Sequence, residues 1–166
     1  MENIYTQRMT ADVDGEFAVF LIGMRINKLW KIHKWLPVGL AMGKMLRELY
    51  AHPELGLLSH EAWAGRTILL VQYWQSFEKL SHYATSSNAK HIPAWRAFNE
   101  KIGSNGDVGI WHETYIVKKD AYECIYHNMP KFGLAKVGSH VPATGRFKTA
   151  SGRMSRGGAA SCAGGE

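Results

Sequence analysis

Hydrophobic residues along this chain switch between continuous runs and helical spacing. Phe17 to Ile26, FAVFLIGMRI, is a nearly unbroken apolar run of strand length, preceded by the turn Asp12-Val13-Asp14-Gly15. Asn27 to Leu36 then interleaves Lys28, Lys31 and Lys34 with Trp30, His33 and Trp35, and reads as a solvated loop anchored by its rings. The period next becomes helical. Val38, Ala41, Met42, Met45, Leu46 and Leu49 recur at steps of three and four, which predicts a helix opening at Pro37 and ending at His52-Pro53. Leu57 to Trp63 and Thr67 to Trp74 are two further strands joined by a hairpin turn at Gly65-Arg66. Ser76 offers an N-cap and Glu78 an acid in the first turn of a second helix, with Phe77, Leu80 and Tyr83/Ala84 as its apolar face. Ser86-Ser87-Asn88 interrupts it, and a short helix follows with Pro93 near its start and Ile92, Trp95, Phe98 and Ile102 on one side. After the turn Gly103-Ser104-Asn105-Gly106-Asp107, Val108 to Val117 is the next strand. Its alternation puts Ile110, His112 and Thr114 on one face, Trp111, Glu113 and Tyr115 on the other. Tyr122 to His127 reads as another short strand and Met129 to His140 as a covering loop.

Strand, helix, strand, strand, helix, strand is the order of the α+β, ferredoxin-like split-βαβ plan, a four-stranded antiparallel sheet with two helices on one face. The strands are apolar on both faces, so the face without helices should also be buried. A second copy of the same sheet would cover it, which predicts a homodimer with the two sheets packed as a dimeric α/β barrel. Residues 1–140 form this domain. From Val141 to Glu166 the chain is rich in Gly, Ser, Ala and Arg and is expected to be a disordered tail.

Composition changes this picture only at the margins. The 166 residues are 46% hydrophobic, enough for a core in one domain. Half of the +6 net charge belongs to residues 141–166, where Arg146, Lys148, Arg153 and Arg156 are set against Glu166 alone, so the folded part is only mildly basic and nucleic acid is not an expected partner. Two cysteines, Cys124 and Cys162, make no disulfide framework and suit a reducing cytoplasm. Met1 to Gly15 is polar and acidic, unlike a signal peptide. Phe17 to Met24 is too short to span a bilayer, so no membrane partner is expected.

The pattern Tyr73-Trp74-x-Ser76, an aromatic at Tyr83, Ser86 and then His91 resembles the dimeric α/β-barrel superfamily of antibiotic-biosynthesis and haem-degrading monooxygenases. Glu16 to Asn128 is also similar to a small bacterial family carrying FLIGMRINK, HIPAWRAFN and GDVGIWHETY, whose members are often labelled monooxygenase or phenylacetaldoxime dehydratase. The resemblance implies an oxidoreductase or lyase acting on a small hydrophobic compound in the barrel pocket, monooxygenase-like or haem-dependent and aldoxime-dehydratase-like. It implies iron ligation at His91, which sits somewhat early in the pattern, and a porphyrin-facing aromatic at Tyr83. Arg25 and Asn27 are the nearest counterparts of a polar residue on the first strand. Haem is thus a possible cofactor, and otherwise none.

The residues themselves admit the same chemistry. An imidazole binds iron, and Tyr83, Trp95 and Trp111 are flat surfaces for a planar ligand. Arg25, Arg96 or the three lysines can pair with a carboxylate. A cofactor-free oxygenase needs only an apolar pocket and a base or donor, for which His91 or His112 would serve. The structural readings compete: a helix-break histidine is often a cap, Trp74, Trp95 and Trp111 are aromatics of core or dimer type, and Met42 and Met45 are packing residues. No HExxH, CxxC pair or phosphate-cradling Gly-rich loop is present. The alternative to an enzyme is a non-catalytic dimeric binding protein for a hydrophobic ligand or haem.

Overall fold

The computed structural model describes residues 2–85 and 105–154. In chain order the elements are β1 (Met9–Asp12), β2 (Phe17–Ile26), α1 (Ile32–Ala51), β3 (Leu57–Trp63), β4 (Thr67–Trp74), α2 (Phe77–Thr85), β5 (Val108–Val117), β6 (Ser139–Pro142) and α3 (Ala150–Met154). The described residues belong to two compact units, Ala18–Ile116 and, from the two ends of the chain, Met1–Phe17 with Val117–Glu166. The short helix expected after Asn88, with His91 and Trp95, lies outside the described residues.

The larger unit holds a four-stranded sheet in the order β3-β4-β2-β5, with β2 and β3 both antiparallel to β4. Counting only these four strands, the last lies beside the first and the third between the first and the second, which is the ferredoxin-like arrangement. All four strands span the residues expected from their apolar runs. One face is covered by helix. Even-numbered positions of β2 pack into it: Ala18 joins Leu49, Leu57, Trp74, Leu80 and Tyr83 in one core cluster, and Met24 and Ile26 join Val108, Trp35, Val38, Ile68 and Ile110 in a second. Helix α2 begins as its sequence asks, with Ser76 Oγ accepting from the Lys79 amide at 3.3 Å and Glu78 in the first turn.

Helix α1 corrects the expectation of a solvated loop before Pro37. It starts at Ile32, so Pro37 lies inside it. Two tight turns lead in, the Lys31 amide donating to Lys28 O at 3.1 Å and the Lys34 amide to Lys31 O at 2.9 Å, while Trp35 Nε1 donates to Leu29 O at 3.0 Å. Proline removes one helical hydrogen bond, but only near the N-terminus, where few preceding carbonyls are committed. At the other end the residue before Pro53 leaves the helix, and Gly56 at φ 96° takes the left-handed conformation that turns the chain into β3.

The smaller unit corrects the expected tail. Residues 139–154, largely within the segment read as disordered, fold: β6 pairs with β1 over Met9↔Pro142 to Asp12↔Ser139, and α3 follows. Arg153 is buried there, donating through Nε to Glu123 Oε1 at 2.6 Å and through its terminal nitrogen to Phe147 O at 2.8 Å. Composition pointed to disorder because glycine and serine bury little, yet one paired arginine and a two-stranded ladder organise the segment. Tyr122 to His127 forms one isolated bridge, Met9↔Tyr126, in place of the expected strand. Tyr122 Oη accepts from the Val13 amide at 2.6 Å and its ring meets Phe17 edge-on. Cys124 Sγ accepts from the Ala11 amide at 3.3 Å.

Candidate functional site

On the helix-covered face, the two core clusters occupy the two ends of the strands. Between them the strand register sets Phe20 opposite Gln72 and Ile22 opposite Leu70. His60 of β3 is the partner of Gln72 on its other side. A row therefore crosses the sheet, His60, Gln72 and Phe20, and continues to His112 of β5, whose ring lies 5.7 Å from that of Phe20. Tyr50 of α1 reaches down to this row, its hydroxyl 2.7 Å from His60 Nδ1.

Gln72 is the unusual member. It is fully buried, in a strand whose other inward residues are Ile68, Leu70 and Trp74. Trp74 Nε1 donates to Gln72 Oε1 at 3.0 Å. Because an indole can only donate, this contact fixes which end of the amide is oxygen. The opposite end, Nε2, is buried with no acceptor among the described residues in hydrogen-bond reach. An orphaned donor of this kind costs about 1–3 kcal/mol, and its persistence asks for a function. Nearby, Tyr83 is buried with its ring 5.7 Å from that of Trp74 and its hydroxyl 3.5 Å from Glu48 Oε2. Burial first, then the Glu48 charge, push its phenol well above the ordinary value, so it stays protonated.

A second constellation lies at the sheet end where β5 begins. Asp107 sits in the turn before β5, its amide donating to Asn105 Oδ1 at 3.0 Å and its carbonyl accepting from the Asn27 amide at 3.1 Å. Its carboxylate is 1% exposed and gathers three ammonium groups: Lys28 on Oδ1, and Lys31 and Lys34 on Oδ2, each at 2.7 Å. Hydrogen bonds from Lys28, Lys31 and Lys34, in that order, hold its acid well below the usual carboxylate range. The three lysines read as partners for a ligand carboxylate thus already have one, supplied by the chain itself.

The site residues expected from sequence divide between the two faces. His112 and Tyr83 lie on the helix-covered side, His112 exposed near the edge of the sheet and Tyr83 within the core. Arg25 lies between the inward Met24 and Ile26, hence on the opposite face, exposed and donating to Thr67 Oγ1 at 3.0 Å. Trp111 is on that opposite face too, packed on Gly23 so closely that a Cβ there would fall 2.7 Å from its Nε1. Arg25 and Tyr83 therefore lie on opposite sides of the sheet, and the Tyr83 ring is buried in the core, a poor fit to a shared porphyrin contact; His91 and Trp95 lie outside the described residues. Among the described residues no three His, Cys, Asp or Glu side chains are grouped to hold a metal. Sequence reasoning passed over Gln72 and Asp107. The signals were there: a lone amide inside TILLVQYW, and a single acid facing lysines spaced by three in a stretch that has no acid of its own.

Fold and site define a ferredoxin-like α+β domain whose polar groups cross the helix-covered face of an antiparallel sheet. The family model described as Monooxygenase af470-like matches residues 17–134, and the chain belongs to that family. It is 33% identical over 81 residues to monooxygenase af470 of Aspergillus fumigatus, an alignment that covers 45% of this chain and 28% of that protein. The chain thus spans well under half the length of this curated relative, which is fungal where the sequence resemblance pointed to a bacterial family. No solved structure matches significantly.

Proposed function

We propose that this protein is a monooxygenase-like oxidoreductase that binds a small hydrophobic compound between helix and sheet, with Gln72 Nε2 donating to an oxygen atom of that compound. The observation that carries the reading is the buried, unpartnered amide N–H set among Phe20, Ile22, Leu70 and Trp74. Apolar walls select the hydrocarbon part of a ligand, and one fixed donor selects and orients a carbonyl or phenolate oxygen. A donor that strengthens its bond as negative charge grows on that oxygen stabilises the anion formed when a neighbouring proton leaves. His60, the cross-strand partner of Gln72 held by Tyr50, is the titratable side chain beside it and is assigned the role of proton acceptor. An electron-rich anion of this kind can supply the electrons itself: a CH₂ carbon becomes C=O, one atom of O₂ enters the product, and the other leaves as water with the two hydrogens. Membership of a family named for monooxygenase af470 supports this class of reaction.

The test is oxygen uptake by the full chain with a panel of phenols and hydrophobic carbonyl compounds, using ¹⁸O₂ to follow the atom. The reading predicts one labelled oxygen per product and turnover that falls about 10²- to 10³-fold in Gln72→Leu. Tight binding of the panel with no uptake would replace it by the binding-protein reading. We also propose that the chain forms a homodimer through the sheet face opposite the helices, where Val19, Leu21, Leu69, Val71, Tyr73 and Trp111 are all only half-buried.

A further inference from the structure

Helix α1 is apolar on two sides. Its inner side, Trp35, Val38, Met45, Leu46 and Leu49, packs into the two core clusters. On its outer side Ile32, Leu36 and Leu40 recur at every fourth position and are 52%, 44% and 57% exposed. The lead-in continues this surface with Leu29 at 55% and Trp30 at 74% exposed. Five large apolar side chains thus lie in water along one line, more than the scattered single residues of an ordinary surface. Along the same stretch of sequence the charge has one sign. Lys28, Lys31, Lys34, Lys44 and Arg47 fall within residues 28–47, where no Asp or Glu occurs. Among the described residues Asp107 is the one carboxylate paired with the first three, leaving that group positive, and Lys44 and Arg47 are exposed on the outer side beyond Leu40.

We infer that this outer face of α1, with Leu29 and Trp30, docks on an anionic lipid bilayer. A helix lying in the interface buries a strip of Leu and Ile into the acyl boundary, sets Trp at the headgroup level and places Lys and Arg against lipid phosphates and carboxylates. Trp30, the apolar strip and the flanking cations supply all three. A second copy is a poor occupant, because a two-fold pairing of this face would oppose cations with cations and bring no acid from residues 28–47. Among the described residues no helix is long and apolar enough to cross a membrane, and the expectation of no membrane partner came from span length; an interfacial helix needs no span.

The experiment is co-sedimentation of the full chain with vesicles of phosphatidylcholine alone and of phosphatidylcholine mixed with phosphatidylserine. Binding is expected to the mixed vesicles, weakened but not abolished by salt, with tryptophan fluorescence quenched by brominated acyl chains and that quenching reduced in Trp30→Ser. Leu36→Ser with Leu40→Ser should lower the partition coefficient by about tenfold or more, and Lys44→Glu with Arg47→Glu by a similar factor. Circular dichroism checks that the helix variants fold. Trp30 precedes the helix and is the most exposed of the set, so Trp30→Ser keeps the test decisive if the leucine pair does not. Three results would each overturn the assignment: no sedimentation with phosphatidylserine vesicles at low salt, binding that the Trp30 and leucine changes leave intact, or an oligomer in solution that dissociates when Leu36 and Leu40 are changed.

Discussion

Replacing Gln72 by Met tests whether its unpaired amide is kept for function. The side chain is fully buried, so the orphaned Nε2 costs the native state about 1–3 kcal/mol. Methionine has nearly the same length, removes that donor and leaves a weak sulfur acceptor near Trp74 Nε1. Losing the 3.0 Å bond to Oε1 offsets part of the gain, about 1 kcal/mol. The variant should therefore be as stable as the native chain or more stable by about 1–2 kcal/mol, a rise in melting temperature of roughly 2–8 °C for a chain of this size. Trp74→Phe works the other way: it orphans Oε1 as well and removes buried ring area, for a loss of about 2–4 kcal/mol. Urea unfolding and a thermal melt read both, and ligand binding or oxygen uptake should fall in Gln72→Met while stability does not. That combination is what a strained functional group produces. A loss of stability beyond about 3 kcal/mol in Gln72→Met would refute the reasoning, because it would mean that a buried water satisfies Nε2 as part of the fold.

The Asp107 cluster predicts a specific pH dependence. Its folded acid is depressed below the ordinary 3.8, so its contribution is complete above that value and is lost as pH falls below it toward the folded value. Thermal melts should show Asp107→Asn less stable than the native chain at neutral pH, with the gap closing in acid; a constant gap would assign the loss to packing instead. For the dimer, light scattering should give twice 18.6 kDa for the native chain and a lower mass for Val71→Asp, and a monomeric native chain would reject the sheet-face interface. Arg153→Ala should destabilise the smaller unit by about 2–3 kcal/mol because Glu123 and the Phe147 carbonyl lose a buried partner, and truncation before Ala143 should do the same because Glu123 loses Arg153. Proteolysis within residues 117–142 is the readout, and unchanged resistance would show that α3 adds nothing.

Local pattern by itself determined the sheet. Continuous apolar runs bounded by turns placed β2, β3, β4 and β5 at the residues they occupy, and their order around two helices pointed to the ferredoxin-like plan. These features are legible because period and turn chemistry act between near neighbours, as does the Ser76 cap of α2. What the sequence did not disclose depends on partners far along the chain. Ile32 begins a helix because Asp107, more than seventy residues away, gathers the lysines that otherwise read as a solvated loop. Residues 139–142 form a strand because Met9–Asp12 offers them a ladder, and Arg153 is buried because Glu123 meets it. Gln72 becomes a candidate binding group only when register puts it beside Phe20 and His60 and Trp74 takes its oxygen, leaving the nitrogen alone. Hydrophobic periodicity selects which way a side chain points, whereas pairing across tens of residues decides what it meets, and only the folded chain contains that second kind of information.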